Sequence, residues 1–147
     1  KIISNLEKDK YDAVEIEPID INKLQFLKMA EYLQKYAISR NITLILRNSL
    51  DISLALGNKA MTADSSYLPL EYIRKAYKGK VGFFTNFTEF GNIKENFDFY
   101  IIRMESQGNL QDSLNKYSSG DFSNKVFIFD KRFNSEEYLQ LNLGFYL

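Results

Sequence analysis

The segment Ile42-Thr43-Leu44-Ile45-Leu46 is a run of strand-forming, largely apolar side chains, and it decides the fold class of this chain. A strand that is apolar at nearly every position is typically buried on both faces, as in a parallel sheet covered by helices. The stretch before it spaces apolar residues as a helix does, at Phe26, Met29, Ala30, Leu33 and Ala37. Asp20 is placed to cap that helix. The pattern therefore predicts a helix followed by a buried strand.

The same alternation of short strand and amphipathic helix runs through the whole chain. The predicted strands are Ala13–Ile16, Ile42–Leu46, Ala60–Ala63, Val81–Thr85, Phe97–Met104, Val126–Phe129 and Gly144–Leu147. Gly57 and Gly79 are placed to end helices, and Pro69 is placed to begin one. Repeated βα units predict an α/β protein with parallel strands and external helices.

The number of strands favours a barrel that lacks its beginning. A TIM-type barrel has eight strands, and only the strands above are predicted here. A helix around Ile2, Ile3 and Leu6 precedes the first of them. We expect a single domain over residues 1–147, a TIM-type (βα)8 barrel that is N-terminally incomplete, with a further strand before Lys1. The alternative is an open, flavodoxin-like sheet.

Composition limits the chemistry and the partners. Lys plus Arg and Asp plus Glu are balanced at 19 each, and the chain has no cysteine and no histidine. We therefore expect no nucleic-acid partner, no thiolate or imidazole metal site, and no histidine base. The absence of a run of about 18 apolar residues predicts no membrane span. A cytoplasmic location is compatible with this composition, and the oligomeric state stays open.

The region around the first helix stop is similar to a known family. Leu46-Arg47-Asn48-Ser49-Leu50-Asp51-Ile52-Ser53-Leu54-Ala55-Leu56-Gly57 resembles the INDRVDLALALG stretch of the thiamine phosphate synthase/TenI family, whose members act in thiamine biosynthesis. Residues 58–69 stand where that family has ADGVHLGQSDLP, and the likeness continues in order along nearly the whole chain. The resemblance implies a TIM-type barrel and transferase activity on phosphorylated substrates with Mg²⁺.

The polar positions of the family pattern are altered. By the resemblance, the two magnesium-binding aspartates correspond to Asn48 and Tyr67, and the neighbouring asparagine corresponds to Arg47. The substrate arginine and lysine correspond to Glu17 and Ile19, the histidine of the thiazole-tautomerase branch to Asn86, and the phosphate-binding Gly-Gly to Asp130 and Lys131. Magnesium requires carboxylate oxygens, so we expect no metal cofactor. Phe84 replaces a small residue and is expected to fill part of the pocket.

The remaining candidates lie at the carboxyl ends of the strands, where barrel active sites sit. They are Glu17, Arg47, Asn48, Asp64, Arg103, Asp130 and Lys131. Arg47, Arg103 and Lys131 either bind an anion such as a phosphorylated small molecule, or pair with Glu17, Asp64, Glu105 and Asp130 on the same rim. Three functions stay open: an enzyme of that lineage with altered chemistry, a non-catalytic barrel that binds a metabolite, and a structural or interaction protein.

Overall fold

The computed structural model describes residues 13–90 and 92–103, and the backbone of residues 126–129. Its elements, in chain order, are β1 (Ala13–Ile16), α1 (Lys23–Ser39), β2 (Thr43–Arg47), α2 (Leu50–Ala55), β3 (Ala60–Ala63), α3 (Leu70–Ala76), β4 (Lys80–Asn86), α4 (Phe87–Phe90), β5 (Phe99–Arg103) and β6 (Val126–Phe129). The predicted helix at Ile2–Leu6, the strand at Gly144–Leu147, and the candidates Asp130 and Lys131 lie outside the described residues.

The described strands form one parallel sheet in sequential order, β1-β2-β3-β4-β5-β6. The predicted α/β class and the parallel strands are thus confirmed, and the sheet has the form of a half-barrel. A flavodoxin-like sheet would place a later strand outside the first one. That alternative is wrong for the described strands, because each pairs with its neighbour in sequence.

The helix cap before α1 differs from the prediction. Asn22, not Asp20, is the N-cap: its side chain accepts a hydrogen bond from the Gln25 amide at 2.9 Å, and the Gln25 side chain accepts one from the Asn22 amide at 3.2 Å. This reciprocal capping box satisfies two backbone donors of the first turn. Asp20 instead adopts a left-handed backbone, with φ 54°, in the turn that leads to the helix.

Alternate residues of each strand serve two different cores. One face packs against the helices, with Leu44 and Leu46 against Phe26 and Leu33 in one cluster. Farther along the sheet, a second cluster on this face contains Met61, Val81, Ile73, Tyr100 and Ile102. The helix-covered face therefore carries most of the apolar packing in the described chain.

The concave face has a smaller core. It contains Ile45, Ala60, Phe99 and Ile101, with Phe84 packed beside them. Gly82 leaves room there for the Phe99 ring, since a Cβ at that position would overlap the ring carbons. In the described part of the chain, no helix has the length and apolar character needed to cross a bilayer.

Candidate functional site

Polar side chains replace the apolar ones where the concave face reaches the carboxyl ends of the strands. Glu15 alternates with Val14 and Ile16, which face the helices, so it points to the same side as Ile45 and Arg47. The sheet register then places Arg47 beside Thr62 on the next strand. Parallel strands end at one edge, so side chains that are far apart in sequence meet there.

Arg47 is the centre of this polar layer. Its Nη1 donates to Glu17 Oε2 at 2.8 Å, and its Nη2 donates to the Glu15 carboxylate. Thr62 Oγ1 donates to the other oxygen of Glu15. The guanidinium carbon lies 3.5 Å from the centre of the Phe84 ring, within cation–π range. Contacts from β1 and its following loop, and from β4, therefore hold Arg47 in place.

The Arg47–Glu15 pair is largely withdrawn from water. The side chains are 12% and 15% exposed, whereas that of Glu17 is 37% exposed. Among the described residues, Arg47 Nε is buried without a hydrogen-bond partner. Anion binding and pairing on the rim were the two alternatives for Arg47, and in the structure Arg47 is paired with Glu15 and Glu17.

Asn48 and Asp64 form a second link across the rim. Asn48 has a left-handed backbone, with φ 49°, a conformation that asparagine tolerates better than most residues. Its Nδ2 donates to Asp64 Oδ2 at 2.8 Å, and its Oδ1 accepts from the Asp64 amide at 3.1 Å. Asp64 Oδ1 also accepts from the amide and the hydroxyl of Ser66, at 2.9 and 2.6 Å. The Asp64 carboxyl is thereby fixed in orientation.

These bonds decide the charge of Asp64. Partial burial acts to raise the pKa of the Asp64 carboxyl, but the hydrogen bonds from Ser66 and Asn48, together with the nearby Arg47 charge, lower it by more. The net result is a pKa below the ordinary value. Asp64 is therefore a carboxylate at neutral pH.

Tyr67, which corresponds by the resemblance to a magnesium-binding aspartate, makes a hydrogen bond within the fold. Its hydroxyl accepts a hydrogen bond from the Leu50 amide at 3.0 Å, at the start of α2. The Ser49 hydroxyl donates instead to the Arg47 carbonyl at 2.7 Å and makes no cap bond to that helix. Tyr67 thus satisfies a helix amide that the N-cap side chain leaves unbonded.

The residues present do not fit a magnesium ion of the family type. Asp64 is bonded to Asn48 and Ser66, and both Glu15 and Glu17 are bonded to Arg47. Within the described ranges, no group of three or more acidic side chains could hold a metal ion. Mg²⁺ is usually bound through one or two carboxylates together with substrate phosphates, and the side chains of Asn48 and Tyr67 supply no carboxylate at this rim.

A cleft of about 230 Å³ opens beside this network, at the ends of β3, β4 and β5. Its lining residues are Asp64, Ser65, Ser66, Phe84, Thr85, Asn86, Glu89 and Arg103. Arg103 is exposed and is the register partner of Asn86 on the adjacent strand. The cleft brings together two of the predicted residues, Asp64 and Arg103, and leaves Arg47 behind Phe84.

Sequence reasoning missed Glu89, which enters the cleft from the single turn of α4. The spacing from Asn86 to Glu89, in which the Asn86 side chain accepts from the Glu89 amide at 2.8 Å, is the signal of a helix start.

A larger hollow of about 620 Å³ lies between the start of α1 and α2, with Ile21, Leu54 and Leu68 in its wall. The Lys23–Asp51 ion pair, at 2.6 Å, borders this hollow.

A parallel half-barrel with a polar cleft at the carboxyl ends of its strands is an α/β fold consistent with a TIM-like barrel. The fold is similar to that of thiamine phosphate pyrophosphorylase from Pyrococcus furiosus, with a TM-score of 0.72 over 90% of this chain and 69% of that chain, at 13% sequence identity. No protein-family model and no curated protein matches the sequence. The likeness supports an α/β half-barrel like that of the pyrophosphorylase, and at this identity it concerns the fold alone.

Proposed function

We propose that this chain is a diverged barrel of the thiamine phosphate synthase/TenI lineage that has lost magnesium-dependent condensation and binds a small anionic metabolite at the Arg103 cleft. The proposed lineage is supported by two likenesses: the ordered sequence resemblance, and the fold shared with the pyrophosphorylase. The proposed loss is supported by the contacts of the residues that replace the family's polar groups.

The observation that carries the proposal is the pairing of Arg47 with Glu15 and Glu17. Glu17 stands where the family has a substrate-binding arginine, so a positive charge has become a negative one. A phosphate at this place would have to separate Arg47 from two carboxylates and would then face their repulsion. Like charges a few ångström apart repel by about 4 kcal/mol in a partly screened site. The contacts of Asn48 and Tyr67 likewise hold the rim together.

Arg103 remains available for an anion. It is exposed, it lines the cleft, and its neighbour Asn86 supplies an amide on the adjacent strand. Arginine binds phosphate or carboxylate through two parallel N–H donors without a metal. The cleft therefore favours a metal-independent contact with the anionic group of a small ligand.

Two assays test the two halves of the proposal. The chain is incubated with the family's pyrimidine pyrophosphate, thiazole phosphate and Mg²⁺, and no thiamine phosphate is expected. Thermal unfolding is then measured with phosphate, pyrophosphate and thiamine phosphate. A ligand at 100 times its Kd stabilises by about 2.7 kcal/mol, and R103Q should abolish the effect. K80Q, which removes an exposed lysine at the other end of β4, is the matched control.

The outcomes are distinct. Magnesium-dependent turnover would overturn the proposed loss of condensation. An unchanged melting temperature of the unmutated protein with every anion would overturn the binding role. The second candidate, a structural or interaction protein, would then be favoured by one contact already described: Phe84 and Arg47 stack and fill the concave face at the rim.

A further inference from the structure

We propose that the cleft beside Arg103 is built for a small zwitterion, a molecule with an acid group at one end and a protonated amine at the other. The inference rests on the proposed binding function and deepens it by naming the ligand class. The acid group binds Arg103 and Asn86, and the amine binds Asp64.

Opposite charges line the cleft without neutralising one another. Asp64 and Glu89 bring two carboxylates, and Arg103 brings one guanidinium. Across the described residues, no ion pair joins Arg103 to either carboxylate. A simple anion would be attracted by Arg103 and repelled by the two carboxylates. A zwitterion can place its acid group near Arg103 and its amine near the carboxylates.

The hydrogen-bonding capacity agrees with this assignment. Asp64 Oδ1 accepts two bonds from Ser66, but Oδ2 accepts only one, from Asn48, among the described contacts. A carboxylate oxygen has two lone pairs, so Oδ2 retains one for an ammonium group. The bonds to Asn48 and Ser66 fix the carboxylate beforehand, which lowers the entropy cost of binding.

The acid end of the ligand has two donors side by side. Asn86 and Arg103 are register partners on β4 and β5. The Asn86 Oδ1 is occupied by the Glu89 amide at 2.8 Å, which turns the Nδ2 donors of the same group away from that contact. A guanidinium and an amide on neighbouring strands suit the oxygens of a phosphate or a carboxylate.

The cleft has room for a small molecule. A water molecule occupies about 30 Å³ in the liquid, so the cleft of about 230 Å³ has room for a molecule the size of an amino acid or an aminoalkyl phosphate. This is below the range of about 300 to 1,000 Å³ usual for drug-sized ligands. The Phe84 ring, with one face against Arg47, forms the apolar part of the wall.

The test compares a zwitterion with one probe that lacks the amine and another that lacks the phosphate. Phosphoethanolamine, ethyl phosphate and ethanolamine are titrated into the full chain by calorimetry. One additional charge-assisted hydrogen bond predicts that phosphoethanolamine binds about tenfold more tightly than ethyl phosphate. D64N should remove this advantage and leave the affinity for ethyl phosphate equal or higher, whereas R103Q should weaken both. D51N, which alters a carboxylate outside the cleft, should preserve the tenfold ratio.

The results test the zwitterion inference separately from the proposed anion site. Equal affinity for ethyl phosphate and phosphoethanolamine would overturn the zwitterion inference and leave the anion site standing. No binding of any probe would overturn both. If D64N fails to fold, E89Q on the short helix α4 is the second variant. It should reduce the advantage of phosphoethanolamine, and an unchanged ratio would contradict the inference.

Discussion

Replacing Arg47 by methionine is the sharpest test of the paired rim. R47M keeps an unbranched side chain against the Phe84 ring but leaves Glu15 and Glu17 without their cation. The fold should survive, because most of the apolar packing lies on the helix-covered face. Its free energy of unfolding should fall, since a nearly buried carboxylate then lacks a partner.

The magnitude follows from the exposure of the partners. Removing one member of a buried ion pair costs about 3 to 5 kcal/mol, and the 15% exposure of Glu15 places its share near the lower figure. The pair with Glu17, which is 37% exposed, is screened by water and adds less than about 1 kcal/mol. We therefore expect a loss of about 3 to 4 kcal/mol, a large part of the roughly 5 to 15 kcal/mol of a typical domain.

Urea unfolding followed by circular dichroism measures this loss. The double variant R47M/E15Q removes the unpaired charge while keeping an acceptor for Thr62, and it should recover about 2 kcal/mol of the loss. R103M, at an exposed position, should change the stability by less than about 0.5 kcal/mol. A loss below about 1 kcal/mol in R47M, or no recovery in the double variant, would refute the argument that Glu15 requires Arg47.

Three further predictions concern packing and pH. G82A should lower stability by about 1 to 3 kcal/mol through overlap with the Phe99 ring, and F99L should recover part of the loss in a double variant measured by thermal unfolding. Burial raises the pKa of the Tyr77 hydroxyl from 10.0 to about 12. The unfolded chain therefore loses this proton first, and the stability that the neutral hydroxyl contributes, complete below pH 10.0, is lost between pH 10.0 and about 12. Alkaline unfolding of Y77F should lack this component. The lowered pKa of Asp64 stabilises the fold above the ordinary value of 3.8, and this contribution is lost as the pH falls through the folded-state pKa. D64N should flatten that part of the acid unfolding curve, and identical curves for the two proteins would contradict the assignment.

Hydrophobic periodicity predicts the location of each described strand, but it fails at the polar strand ends. The bounds of β1, β3 and β6 match the predicted ones. The second strand was predicted to end at Leu46, but it includes Arg47, which joins the ladder opposite Thr62. A prediction based on apolar residues ends the strand at the first charged side chain, although the backbone of a charged residue can pair as well as any other. The fifth strand begins at Phe99 instead of Phe97, because the Phe97 amide donates to the Tyr100 hydroxyl at 3.2 Å.

The candidate site was less predictable because it depends on contacts between distant segments. The register between β1, β2 and β3 brings Glu15, which was not among the predicted candidates, to both Arg47 and Thr62. The sequence was sufficient to predict that Asp64 follows a strand. Its hydrogen bond to Asn48 was not predictable, because it requires the left-handed backbone of Asn48. The roles predicted for Asp130 and Lys131 stay predictions.

The sequential strand order also ranks the steps by which the chain can fold. Every described pair joins strands that are consecutive in sequence. Each pairing therefore closes a single loop and does not depend on a strand from elsewhere in the chain. The entropy cost of closing a loop increases with its length. The shortest loop joins Ile45 to Ala60, and the longest of the described pairs joins Ala13 to Thr43. Loop entropy alone therefore favours pairing of β2 with β3 first and places β1, which carries Glu15, among the last of the described strands to pair.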